Sequence, residues 1–147
     1  MRPSVFPLLI AAVLTGAPLH AEAPLLTLEL NAVAEQDSGC RITFVATNAL
    51  AADISALVVE AVIFTPDGLV DRLALLDFQS LPQSRPRVRQ FDLPGLTCDR
   101  IGQVLINAVG TCAGTGTGPG TGTGLDPAAC AAAMTVYSRI ETITISG

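Results

Sequence analysis

Residues Leu57 to Thr65 read LVVEAVIFT, apolar at odd and even positions alike except at Glu60. Periodicity alone leaves such a run ambiguous between a buried strand and a helix. The triplet Pro66-Asp67-Gly68 decides it. Proline presets one turn dihedral, glycine supplies a positive φ, and Leu69 to Phe78 is expected to return antiparallel as the other arm of a hairpin. A strand apolar on both parities is a central strand covered on both faces. The segment therefore commits the chain to a core built on sheets.

The rest of the chain repeats the pattern. Leu26, Leu28 and Leu30 alternate with Thr27 and Glu29, the period-two mark of a half-buried strand. Cys40, Ile42, Phe44 and Ala46 alternate with Arg41, Thr43 and Thr47 in a second, and Asn48-Ala49 opens a loop carrying Asp53. Val88 to Leu93 predicts a fifth strand ended by Pro94-Gly95, and Ile101 to Val109 a sixth. Tyr137 to Ile145 is the last; Ile140 and the pair Ile143 and Ile145 fall on opposite parities, which predicts a bulge near Glu141-Thr142. Seven short strands with regular turn signals predict an all-β, antiparallel sandwich.

One short helix is expected before the last strand. Asp126 suits an N-cap, Pro127 the first helical position, and Ala128 to Ala133 are helix formers apart from Cys130. Ahead of it, Gly114 to Gly124 (GTGTGPGTGTG) has no apolar side chain to bury and is expected to be a loose tether.

The first 23 residues read as a cleavable export signal: Met1-Arg2, an apolar core from Val5 to Leu14, and a small-x-small site at Ala21-Glu22-Ala23. Residues 24–147 then form one domain, with the Gly/Thr-rich stretch inside 112–130. The four cysteines, Cys40, Cys98, Cys112 and Cys130, all lie beyond the signal. An even count in an exported chain predicts two disulfides, in any of three pairings. No C-x-x-C pair points to thiol exchange, and the spacings lack the short gaps of a zinc ribbon. Net charge is −5 and stays so on cleavage, since Arg2 and Glu22 leave together. That balance argues against nucleic acid or anionic lipid as partner, and no long apolar run follows the signal to span a membrane.

Cleavage also removes His20, the only histidine, from a chain without lysine or tryptophan. Ser38, Ser55, Ser80, Ser84, Ser138 and Ser146 then have no imidazole or amine to activate them, and no G-x-S-x-G elbow occurs. Among the carboxylates, Asp67, Asp71, Asp77, Asp92 and Asp99 keep a two-carboxylate hydrolase formally open. Asp67-Gly68 is explained as a turn without a calcium-loop pattern, and the Gly-Thr stretch lacks the ending of a phosphate loop. Arg85, Arg87 and Arg89 are the suggestive cluster. At period two they would line one face of a strand, either contacting an acidic partner or guarding an edge together with Pro86. The change from arginine to Phe91 predicts a bulge there.

Cys40-Arg41-Ile42-Thr43-Phe44, Asn48 and Glu60 to Gly68 (EAVIFTPDG) resemble the immunoglobulin-like β-sandwich of exported bacterial proteins, in its fibronectin type III-like arrangement. The last of these runs like the strand-turn of FxLYD-type secreted domains. The whole chain also resembles small Gram-negative envelope proteins of unassigned function, some carrying a twin-arginine signal; here Arg2 is followed by Pro3 and no Arg-Arg pair exists. The resemblance implies a seven-stranded antiparallel immunoglobulin-like sandwich and brings no catalytic residue. Its topology puts Cys40 and Cys98 at one pole and Cys112 and Cys130 at the other, which implies Cys40–Cys98 and Cys112–Cys130. The expected product is a periplasmic or secreted, non-catalytic binding or structural module, monomeric and without cofactor. Its expected partner is an envelope protein or polymer. The alternatives are a subunit or assembly factor of a surface structure and a carboxylate-dependent hydrolase.

Overall fold

The computed structural model describes residues 25–115 and 125–147. The expected export signal at 1–23 and residues 116–124 of the Gly-Thr stretch lie outside the described residues. Six long strands follow in chain order: β1 (Leu26–Gln36), β2 (Gly39–Asn48), β3 (Asp53–Phe64), β4 (Val70–Leu81), β5 (Arg87–Pro94) and β6 (Gln103–Thr115). The helix α1 (Pro127–Ala133) comes next, then β7 (Met134–Ser138) and β8 (Thr144–Ser146). Two four-stranded sheets result, ordered β5-β2-β1-β7 and β4-β3-β6-β8.

Local chemistry explains most of the boundaries. Asp37-Ser38 makes the β1–β2 turn, and Gly39 takes a φ of +150° that suits its lack of a Cβ. Gly68, at φ +80°, closes the β3–β4 turn by donating to the Thr65 carbonyl at 2.9 Å. Asp126 caps α1 by accepting from the Ala129 N–H at 2.7 Å, with Pro127 in the first turn.

Between the sheets lies one apolar core. Leu26, Leu28, Leu30, Ile42 and Phe44 come from the first sheet, and Leu57, Val59, Ile63, Phe78 and Val104 from the second. Each such side chain contributes roughly 1.5–3 kcal/mol on burial. Phe44, Phe78 and Phe91 meet edge-to-face, with ring centroids 5.2 to 6.1 Å apart, and tie β2 and β5 to β4. Disulfides join Cys40 to Cys98 and Cys112 to Cys130. The first anchors β2 to the 3-10 turn Cys98–Arg100; the second anchors β6 to α1.

The fold departs from the sequence reading in four places. There are eight strands among the described residues, in mixed sheets, because the last strand is two. The chain runs parallel to β1 as β7, turns at residues 139–143, and runs parallel to β6 as β8. The parity clash of Ile140 with Ile143 and Ile145 marks a change of sheet in place of a bulge. Asp53 starts β3 and sits in no loop, and Gly114 and Thr115 belong to β6. Arg89 and Phe91 sit in unbroken register opposite Phe44 and Ile42, so β5 has no bulge there. Finally, β3 is central within its sheet, yet among the described residues only its inner face is covered by a second layer.

Candidate functional site

The three arginines do not act as one set. Arg85 precedes β5 and is exposed. Arg87 lies opposite Ala46 at the start of β5, and its Nη1 donates to the neighbouring Pro86 carbonyl at 3.3 Å. Arg89 reaches from β5, the edge of one sheet, to β4, the edge of the other. Its Nε donates to the Phe78 carbonyl at 2.7 Å and its Nη2 to the Ser80 carbonyl at 3.0 Å. Arg72 bridges the same two edges in the opposite direction: Nη1 donates to the Pro94 carbonyl at 2.7 Å, and Nε pairs with Asp71 at 2.6 Å. These two guanidinium groups occupy carbonyls that an edge strand otherwise offers to another chain.

The carboxylates are dispersed and mostly engaged. Asp92 forms a two-pronged pair with Arg41, at 2.7 and 3.0 Å, which holds its carboxyl below the usual range. Asp77 accepts from the Gln79 N–H and Asp53 from the Gln83 N–H. Asp67 lies in the hairpin turn and Asp99 in the 3-10 turn. Among the described residues, no three of His, Cys, Asp and Glu gather in a metal-binding group. Glu29 is the one buried carboxylate there, on the outer face of β1. It accepts from the Tyr137 hydroxyl and from Asn31 Nδ2, and Arg139 Nε lies 3.3 Å away. The tyrosine bond is the main cause that lowers the Glu29 pKa, and the same bond raises that of Tyr137. The cluster fastens β7 to β1.

The outer faces of the two sheets differ in kind. That of β5-β2-β1-β7 carries Arg41, Thr43, Thr27, Glu29, Tyr137 and Asp92, with the pair Val45 and Val88 as its larger apolar members. That of β4-β3-β6 carries an apolar stripe beside Glu60, which accepts from Asn107 Nδ2. By strand alternation Val58, Glu60, Val62 and Phe64 point outward from β3 while Leu57, Val59, Ala61 and Ile63 fill the core. Val62 is flanked by Leu73 of β4 and Leu105 of β6, and Glu60 by Leu75. Leu73 is 61% exposed and Leu75 73%; Leu69 and Val70 at the hairpin end are 68% and 57% exposed. A contiguous stripe of this kind, as opposed to scattered single residues, marks a contact surface.

Cys40, Cys98, Cys112 and Cys130 are all paired, and none is free. Sequence reasoning passed over the apolar stripe, although its signal was present. LVVEAVIFT is apolar outward as well as inward, and it faces Leu73-Ala74-Leu75-Leu76 across a hairpin. No family model, curated protein or solved structure matches the chain significantly.

Proposed function

We propose that the chain is an exported, non-catalytic binding or structural module of the bacterial envelope, built on an immunoglobulin-like sandwich. The first, second and fifth strands share one sheet and the third and sixth the other, a partition that supports the immunoglobulin-type reading. Two disulfides support an oxidising compartment, periplasmic or extracellular. The absence of lysine, and a sole histidine inside the export signal, support a non-catalytic role.

The observation that carries the reading is the apolar stripe on which Leu73 and Leu75 stand exposed beside Val62 and Leu105, on a protein whose opposite sheet presents mainly charged and hydroxyl side chains. Its occupant in this reading is the apolar surface of an envelope protein. A photo-crosslinking residue at position 75 should capture a defined envelope protein, and one at position 43, on the polar face, should not. Capture should disappear in Leu73→Ser/Leu75→Ser protein that melts like the wild type. Equal labelling from both faces would refute it.

A second observation favours the surface-assembly reading: β8 covers only three residues of the 13-residue β6. Among the described residues no strand pairs with that side of β6 beyond Leu105, the kind of edge on which a subunit pairs with another chain.

A further inference from the structure

Resting on the reading of the apolar stripe as an envelope-protein contact, we infer that its occupant is an amphipathic helix with one arginine set into its apolar side, paired with Glu60. Glu60 is half-buried on the outer face of β3, opposite Leu75 of β4 on one side and Ala108 of β6 on the other. Val58 and Val62 precede and follow it on the same face, and Val62 lies between Leu73 and Leu105. The carboxylate thus stands within the stripe and not at its rim.

Among the described residues Glu60 meets one donor, Asn107 Nδ2, which engages Oε1 alone. No arginine pairs with it there: the described ion pairs are Arg41–Asp92, Arg72–Asp71 and Arg139–Glu29. The strands β3, β6 and β8 contain no basic residue, and Arg72 of β4 turns to the Pro94 carbonyl of the other sheet. Asp77, exposed opposite Val58, adds a second carboxylate. The charge that this face offers is therefore negative.

That sign chooses among occupants. A purely apolar surface would take Glu60 out of water with only an amide for partner, which disfavours its charged form. A second copy docked about a two-fold axis through the stripe would set the Glu60 and Asp77 carboxylates of one protomer against those of the other. A guanidinium satisfies Glu60 with paired N–H donors while its aliphatic stem packs on Leu73 and Leu75. The form of the segment follows from the sheet. A sheet face presents side chains and no backbone groups, so an extended segment lying on it would bury its own peptide groups unpaired. A helix arrives with those bonds made. Leu73 and Leu75, like Glu60 and Val62, stand about 6.8 Å apart along their strands. Helix positions three and four apart, at about 5–6 Å, come close to that spacing.

The test is an NMR titration of the oxidised protein with a capped helical peptide carrying leucine at i, i+3 and i+7 and arginine at i+4. Companion peptides have citrulline or glutamate in the arginine's place. Shift changes should fall on residues 58–62 and 73–77, and the arginine peptide should bind about tenfold tighter than the citrulline one and tighter still than the glutamate one. Glu60→Gln keeps an acceptor for Asn107, so it should melt within about 2 °C of the wild type while losing that preference. Glu60→Arg should turn the preference toward the glutamate peptide. Equal affinity for the arginine and citrulline peptides, no binding of the arginine peptide at millimolar concentration, shifts on the Thr43 face, or dimerisation through the stripe would each overturn the inference. An envelope crosslink from position 75 that is undiminished in Glu60→Arg would leave the contact standing and remove the basic helix. Wild-type protein that captures nothing from position 75 would refute the contact and the helix together.

Discussion

Replacing Arg89 with methionine keeps most of the aliphatic stem but removes the guanidinium that closes the β4–β5 side. Two charge-assisted hydrogen bonds disappear, to the carbonyls of Phe78 and Ser80. Such bonds contribute roughly 1.5–3 kcal/mol each when fully desolvated. Arg89 is half-buried, and the freed carbonyls regain water, so the expected loss is about 1–2 kcal/mol in total. With an unfolding entropy near 2.1 cal/mol/K per residue, a domain of this size loses about 4 °C per kcal/mol. Calorimetry should therefore show a melting temperature about 4–8 °C lower for Arg89→Met. Arg85→Met and Arg87→Met, which lose no bond between the sheets, should stay within about 2 °C of wild type. A second signature separates lost stability from lost protection. The carbonyls of Phe78 and Ser80 become an open edge, so sedimentation should show concentration-dependent self-association for Arg89→Met alone. Equal destabilisation by all three substitutions, or wild-type melting of Arg89→Met, would refute the clasp.

The two disulfides should differ in weight. Chain-entropy arithmetic on sequence separations of 58 and 18 residues gives about 4 kcal/mol for Cys40–Cys98 and about 3 kcal/mol for Cys112–Cys130, so the urea midpoint should fall further in the Cys40→Ala/Cys98→Ala variant than in Cys112→Ala/Cys130→Ala. Asn48 is fully buried and donates to the carbonyls of Ala52 and Leu81 while accepting from the Leu50 N–H. Asn48→Ala should cost about 2–3 kcal/mol in urea unfolding, and Asn48→Asp at least as much, because a carboxylate would face two carbonyls. Glu29 has a folded pKa below its unfolded value, so its contribution is complete above the unfolded pKa, near 4.5, and is lost as pH falls through the folded one. Acid unfolding of the wild type should therefore be steeper below pH 4.5 than that of Glu29→Gln; parallel curves would show that the Tyr137 contact carries no linkage.

Period-two alternation and turn chemistry suffice for β1 to β6 because both are local. Leu26-Thr27-Leu28 or Pro66-Asp67-Gly68 needs no distant residue to be read. The split of the last strand is different in kind. Ile140 against Ile143 and Ile145 shows that the inward face changes, and a bulge and a change of sheet produce the same parity clash. What separates them is which edge lies within reach: β1 for residues 134–138 and β6 for residues 144–146. Arg89 was legible as an edge charge but not as a clasp, since its acceptors belong to a strand of the other sheet. The apolar stripe marks the same boundary from the other side. A run that is apolar on both parities states that both faces of β3 avoid water, and the described residues supply a second layer for only one of them. Leu73 and Leu75 remain more than half exposed beside Val62, which is 7% exposed. The hydrophobic pattern thus specifies more burial than the described residues provide, most plainly on the β4-β3-β6 face, and that is the surface the proposed envelope partner would cover.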